Sequence, residues 1–164
     1  PWGLSEFIKA AEMHDLPKVV SVQNAYNLLN RIYESGMSEF HHRSQVGLLA
    51  YSPLAQGYLT GKYLDGARPP GARTTLFERG QRYETEQAEE IIRKYVNLAN
   101  EYSMDPALMA NSFVNDQDFV TSNIIGATTM EQLKIAVGSI DTKLDEECLK
   151  KIEEIHYGCP NPCP

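Results

Sequence analysis

Residues 46–63, VGLLAYSPLAQGYLTGKY, decide how the chain folds. The first six are almost wholly apolar and too short for a helix, which predicts a buried strand. Ser52-Pro53 then opens a turn rich in small residues, with glycines at 57 and 61. Two other short runs share this character. KVVSVQ (18–23) is β-branched and bounded by polar residues, and FVTSNII (119–125) is broken by Gly126.

Helical periods flank and separate these runs. LSEFIKAAEMHD (4–15) places Leu4, Phe7, Ile8 and Ala11 on one stripe and stops at Leu16-Pro17. A second helix is predicted from about Arg31 to His42, anchored by Ile32, Tyr33, Met37 and Phe40, with Gly36 as its weak point. Residues 85–103 carry the clearest stripe, Ala88, Ile91, Ile92, Tyr95, Val96 and Ala99. Asp105-Pro106 pairs an N-cap with a first-turn proline ahead of ALMANSFV. Thr128-x-x-Glu131 or Thr129-x-x-Gln132 supplies a capping box for the next helix. A last helix, about 145–156, turns Leu149, Ile152 and Ile155 inward, and GCPNPCP ends the chain as a structural, turn-rich tail. From Ser52 to about Tyr83 no period is visible, and loops of that length are usually functional or disordered.

Apolar runs alternating with helices predict an α/β domain with a covered parallel sheet. Three strands leave two open edges, and a full (β/α)₈ TIM barrel takes at least about 200 residues. The 164 residues therefore read as one partial domain, residues 1–164, from such a barrel. The side chains of Val19, Val22, Leu48, Ala50 and Ile124 are expected to face the barrel interior. Left bare, that surface predicts self-association through the open edges, most simply as a two-fold dimer of half-barrels.

Fifteen basic and 22 acidic side chains leave a net charge of −7. That argues against a nucleic-acid or anionic-membrane partner, each of which needs a dense positive face. No apolar stretch reaches the length of a membrane-spanning helix, and no signal peptide opens the chain. Three cysteines are too few for a disulfide framework, so a reducing cytoplasm is the expected compartment.

Two segments carry candidate chemistry. At the end of the second strand, Tyr51 offers a ring face to a planar ligand, Ser52 a hydroxyl, and Lys62 a point charge suited to phosphate. Taken alone, this is also an ordinary proline turn with a solvated lysine. After the third strand, Ile125-Gly126-Ala127-Thr128-Thr129 leads into a helix whose first N–H groups suit phosphate. Taken alone, that is also an ordinary capped helix. Two such segments at strand C-terminal ends lie on the face where barrels hold their ligands. No metal site is read here. His41 and His42 diverge on a helix, and Cys159 and Cys163 lack a second ligand pair at zinc-site spacing.

Five segments together resemble the C-terminal half of an aldo/keto reductase: PWGLSEFIKAAEMHDLP (1–17), VVSVQNAYNLLNR (19–31), LLAYSPLAQGYLTGKY (48–63), GARPPGARTTLF (66–77) and IIGATTMEQLKIAV (124–137). The likeness is to the bacterial branch akin to potassium-channel β-subunits and spans nearly the whole chain. It implies hydride transfer between NADPH and an aldehyde or ketone, with the strands here as the sixth, seventh and eighth of the barrel. By this resemblance Gln23 bonds the nicotinamide carboxamide and Tyr51 stacks on its ring. Ser52, Leu54 and Gln56 line the pyrophosphate path, Lys62 pairs with it, and Arg73 reaches the adenosine phosphate end. Gly126, Thr128 and Gln132 hold the adenine ribose and its 2′-phosphate.

Some positions depart from the family pattern. Ile135 and Ala136 stand where many members carry Glu-Asn at the adenine, and Gly71 stands where channel β-subunits have a Tyr. The family's catalytic Asp, Tyr, Lys and His lie in the N-terminal half, so no catalytic residue is assigned. The resemblance therefore implies a cofactor-binding half that is inactive alone and meets a small carbonyl substrate only with the N-terminal half. The alternative is a non-catalytic half-barrel binding module.

Overall fold

The computed structural model describes residues 1–77 and 81–163; residues 78–80 of the long loop and Pro164 of the tail lie outside the described residues. Strands β1 (Ser21–Ala25), β2 (Gly47–Tyr51) and β3 (Val120–Ile124) form one parallel sheet in the order β1-β2-β3. The helices are α1 (Trp2–Met13), α2 (Met37–Ser44), α3 (Arg73–Phe77), α4 (Glu86–Glu101), α5 (Pro106–Asn115), α6 (Met130–Gly138) and α7 (Glu146–Gly158). This is the expected alternation plus one short helix, α3, inside the segment without a period. Parallel strands joined through helices give the layout of a partial (β/α) barrel.

The boundaries differ for physical reasons. β1 starts at Ser21 because its ladder partner β2 starts at Gly47, which leaves Val19 and Val20 ahead of the pairing. The helix expected over 31–42 divides at Gly36 into a 3₁₀ turn, Ile32–Ser35, and α2. Between Leu48 and Leu49 the β2–β3 register shifts, so Thr121 is an extra residue on β3. A Cβ on Gly47 would overlap the Thr121 hydroxyl, so the bulge requires glycine there. Side-chain caps start four helices: Thr85 accepts from Ala88 N at 3.0 Å, Asp105 from Ala107 N at 2.7 Å, Thr129 from Gln132 N at 3.2 Å, and Asp145 from Cys148 N at 2.7 Å.

The expected inward face is largely reversed. Leu48 and Ala50 are fully buried in the core with Ile91, Ile92, Tyr95 and Phe113 of the helices, and Val22 packs against it. Asn123, level with Ala50, bonds Asn111 and Asn115 of α5, which fixes that side of the sheet as the helix side. The opposite face carries Gln23, Leu49, Tyr51, Ser122 and Ile124, so Ile124 alone among the paired residues named for it lies there. In a parallel sheet both faces are apolar, and hydropathy does not separate them.

The tail is anchored. Asn161 Oδ1 accepts from Arg31 N at 2.6 Å, and Cys163 lies buried in the core. Arg31 lies over the Phe113 ring and pairs with Glu34 and with Glu153 of α7, both at 2.7 Å. The buried Arg31 guanidinium thus ties the segment after β1 to α5 and α7, and the Arg31 backbone N ties it to the tail.

Candidate cofactor cradle at the strand ends

Of the first group of candidates, Tyr51 ends β2 and Gly126 follows β3, while Gln23 is the middle residue of β1, level with Leu49 rather than at the strand's end. Neighbouring strands lie about 4.8 Å apart, so the ends of β1, β2 and β3 span about 10 Å. Gln23 sits exposed on the open face of β1, and half-buried Tyr51 ends β2 on the same face. Gly126 follows two residues beyond β3.

After Tyr51 the backbone turns sharply. Ser52 (φ 58°), Ala55 (φ 47°), Gln56 (φ 58°) and Gly57 (φ 98°) all adopt left-handed conformations. For a non-glycine residue this costs about 1–2 kcal/mol, so three of them persist only where other contacts over-determine the turn. Those contacts are present. Ser52 O accepts from Ala55 N at 2.9 Å, and Leu54 O accepts from Gly57 N at 2.8 Å and Leu59 N at 3.2 Å. Leu54 packs its side chain on the core, so it offers the turn surface only backbone. The Gln56 amide oxygen is buried with no partner among the described residues.

Lys62 folds back onto this turn. A Cβ on Gly57 would lie 2.8 Å from Lys62 Cε and 2.9 Å from Nζ, so glycine makes the room that the lysine fills. The ammonium also stands 5.2 Å from the centroid of the Tyr63 ring. The Tyr63 hydroxyl accepts from Thr74 N at 3.2 Å, which ties the start of α3 and its exposed Arg73 to the Lys62 segment. The two cations therefore belong to one hydrogen-bonded stretch of the loop.

At the third strand end, Gly126, Thr128 and Gln132 are exposed. Thr129, rather than Thr128, caps α6, its hydroxyl accepting from Gln132 N at 3.2 Å. The Gln132 side-chain oxygen accepts from Thr128 N at 2.9 Å and from the Thr128 hydroxyl at 3.1 Å. Gln132 thus shapes the loop from inside, at the N-terminal, positive end of α6.

Other polar clusters lie elsewhere. A cavity of about 320 Å³ lined by Tyr58, Tyr63, Arg68, Tyr83, Glu84 and Glu89 includes none of the candidate residues. There the Tyr58 hydroxyl donates to Glu84 at 2.5 Å, and burial, with the Glu84 carboxylate, pushes its pKa up to about 12. His41 Nδ1 bonds Val46 O, and His42 stands 3.6 Å from Asp118. Among the described residues no three His, Cys, Asp or Glu side chains are placed to hold a metal, and no helix is long and apolar enough to cross a membrane. The sequence reading missed Asn27, whose side chain reaches Ser52 O at 3.0 Å. Its only signal was an Asn two residues beyond a strand end, a common turn former.

The model of the aldo/keto reductase family matches residues 2–156. Protein tas of Escherichia coli K12 is 47% identical over 163 residues, covering 99% of this chain and 47% of that protein. An aldo-keto reductase of Babesia bovis is 35% identical and covers 99% of this chain and 60% of its own length. L-glyceraldehyde 3-phosphate reductase of Escherichia coli K12 is 36% identical over 127 residues, 73% of this chain and 36% of that protein. The chain thus spans about half the length of protein tas, the most extensively matched of the three by identity.

Proposed function

The chain belongs to the aldo/keto reductase family, and we propose that residues 1–164 are a partial domain of it, the cofactor-binding half of an NADP-dependent oxidoreductase. The carrying observation is the left-handed Ser52–Gly57 turn at the end of β2 with the Lys62 ammonium folded against it. Family members use nicotinamide cofactors, and the residues present fit one. The turn supplies backbone to a pyrophosphate, Lys62 and Arg73 supply positive charge, and the buried Gln56 oxygen lacks a partner. Bound there, NADPH would supply a hydride for an aldehyde or ketone.

In this reading Gln23 holds the nicotinamide carboxamide and Tyr51 offers its ring. Ser52, Leu54 and Gln56 present the turn, while Gly126, Thr128 and Gln132 take the adenosine end. Reduction of a carbonyl leaves an alkoxide that needs a positioned acid. By the family resemblance that acid is one of the catalytic residues of the N-terminal half, so in this reading the carbonyl substrate requires that half and this chain alone is inactive. Its cytoplasmic placement and its self-association through the sheet edges belong to the same proposal.

Calorimetry with NADPH and NADH tests the cofactor assignment. NADPH should bind more tightly, and Lys62→Ala and Arg73→Ala should each weaken it by about tenfold, the scale of a charge-assisted hydrogen bond. Equal affinity for both cofactors, unmoved by either substitution, defeats it.

A further inference from the structure

Asn27 is fully buried, lies outside every segment assigned to the cofactor, and is joined to the cradle by one bond. Its Oδ1 accepts from Leu29 N at 2.9 Å and from Asn30 N at 3.1 Å. Two N–H donors on one atom fix the amide orientation, so the other atom is Nδ2, which donates to Ser52 O at 3.0 Å. One residue earlier, Tyr26 N donates to Tyr51 O at 3.3 Å. Two consecutive carbonyls of the cradle are thus held by two consecutive residues after β1. Ser52 O is also the acceptor that closes the turn to Ala55 N.

We propose that Asn27 is a positioning residue for the cofactor: its amide locks Ser52 O and with it the left-handed run from Ser52 to Gly57. The proposal rests on the cofactor reading above. Ser52, Ala55 and Gln56 pay the left-handed cost without glycine's freedom, so the turn needs an external anchor. Asn27 supplies one from a neighbouring strand end, and its own turn, Asn27–Asn30, is closed in both directions by backbone bonds at 3.1 and 3.0 Å. Nothing in that second turn depends on Nδ2. The anchor can therefore be removed separately from the fold around it.

Asn27→Asp does this while ionised, since a carboxylate keeps the acceptor for Leu29 N and Asn30 N but has no donor for Ser52 O. The readouts are taken at alkaline pH, because a buried carboxyl that kept its proton would donate to Ser52 O again. In the full chain, amide exchange at Ala55 and Gly57 should become at least tenfold faster, while exchange in α4 and α5 stays unchanged. NADP⁺ affinity should fall about tenfold. Affinity for adenosine 2′-phosphate, which carries no part of the pyrophosphate and reaches only the α6 end, should hold within twofold. Unchanged exchange at Ala55, or unchanged NADP⁺ affinity, overturns the role, and so does an equal loss of both ligands. Should Asn27→Asp fail to fold, Asn27→Ser, too short to reach Ser52 O, carries the same readouts. If the unaltered chain binds neither NADP⁺ nor adenosine 2′-phosphate, the cofactor reading fails and takes the positioning role with it. The exchange measurement then still decides whether Asn27 locks the turn.

Discussion

Gly57 has two reasons to be glycine, and they act together. Its φ of 98° is strained for any side chain, and a Cβ would collide with the folded Lys62. Gly57→Ala should therefore cost about 1–2 kcal/mol from the backbone alone and push the ammonium off the turn. Thermal unfolding should show the first effect, and the salt dependence of nucleotide binding the second, because a displaced charge no longer contributes to it. A variant with wild-type stability would mean the turn relaxes freely and carries no stored strain. The type of each candidate residue was readable from the sequence, as with Lys62 or Ser52. What was not readable is that Lys62 lies back over Gly57, since a five-residue return through left-handed backbone leaves no periodic trace.

Among the elements, α7 carries a group whose protonation should oppose folding. His156 sits near its C-terminus, where a helix dipole ordinarily favours the imidazolium. Burial wins instead, seconded by the Arg31 guanidinium, and holds His156 below the usual histidine value of about 6.5. Its Nδ1 is buried without a partner among the described residues. An unfolded chain takes up this proton near pH 6.5, whereas the folded chain resists it until lower pH. Between those two points, falling pH drives unfolding. Urea denaturation midpoints should decline from pH 7 to pH 5, and His156→Asn should flatten that part of the decline. An unaltered slope in the variant would remove His156 from the account. Breaking the neighbouring pair should matter at all pH values above the carboxylate range. Glu34→Gln leaves the Arg31 guanidinium buried with one fewer counter-charge and should cost about 2 kcal/mol. That is below the 3–5 kcal/mol of a fully buried pair, because Glu34 is 29% exposed. Among the helices with side-chain caps, α4, α5 and α7 were legible nearly to the residue, since Thr85, Asp105 and Asp145 mark their starts in the sequence. The faces of the sheet were not, because Leu48 and Leu49 look alike in hydropathy while only the helices decide which is covered.

At the scale of the molecule, the sheet ends in two unpaired edges, β1 and β3, and the elements next to them in the chain carry bare apolar side chains. Ahead of and at the start of β1 these include Trp2 and Met13, 77% and 78% exposed, together with Phe7 and Val20. After β3 they run along α6 as Met130, Val137 and Ile140, with Met130 67% and Ile140 66% exposed. The stripe on α1 that the sequence predicted is real, yet only Ala11 of it is fully buried. Covering a large apolar side chain is worth about 1.5–3 kcal/mol. The seven side chains named therefore hold roughly 10 kcal/mol or more, comparable with the whole stability of a domain this size. The unpaired strand edges add backbone donors and acceptors that favour another strand. Pairing β3 of one copy with β1 of a second would bring the α6 stripe toward α1, and a two-fold axis would satisfy both edges at once. At micromolar concentration the isolated chain should sediment as a dimer or larger species. Met130→Asp combined with Ile140→Asp should shift it toward monomer, while Glu146→Lys on α7 should not. A well-folded monomer at tens of micromolar, before any substitution, would show that these edges and stripes are tolerated in water, and the self-association expected from them would be wrong.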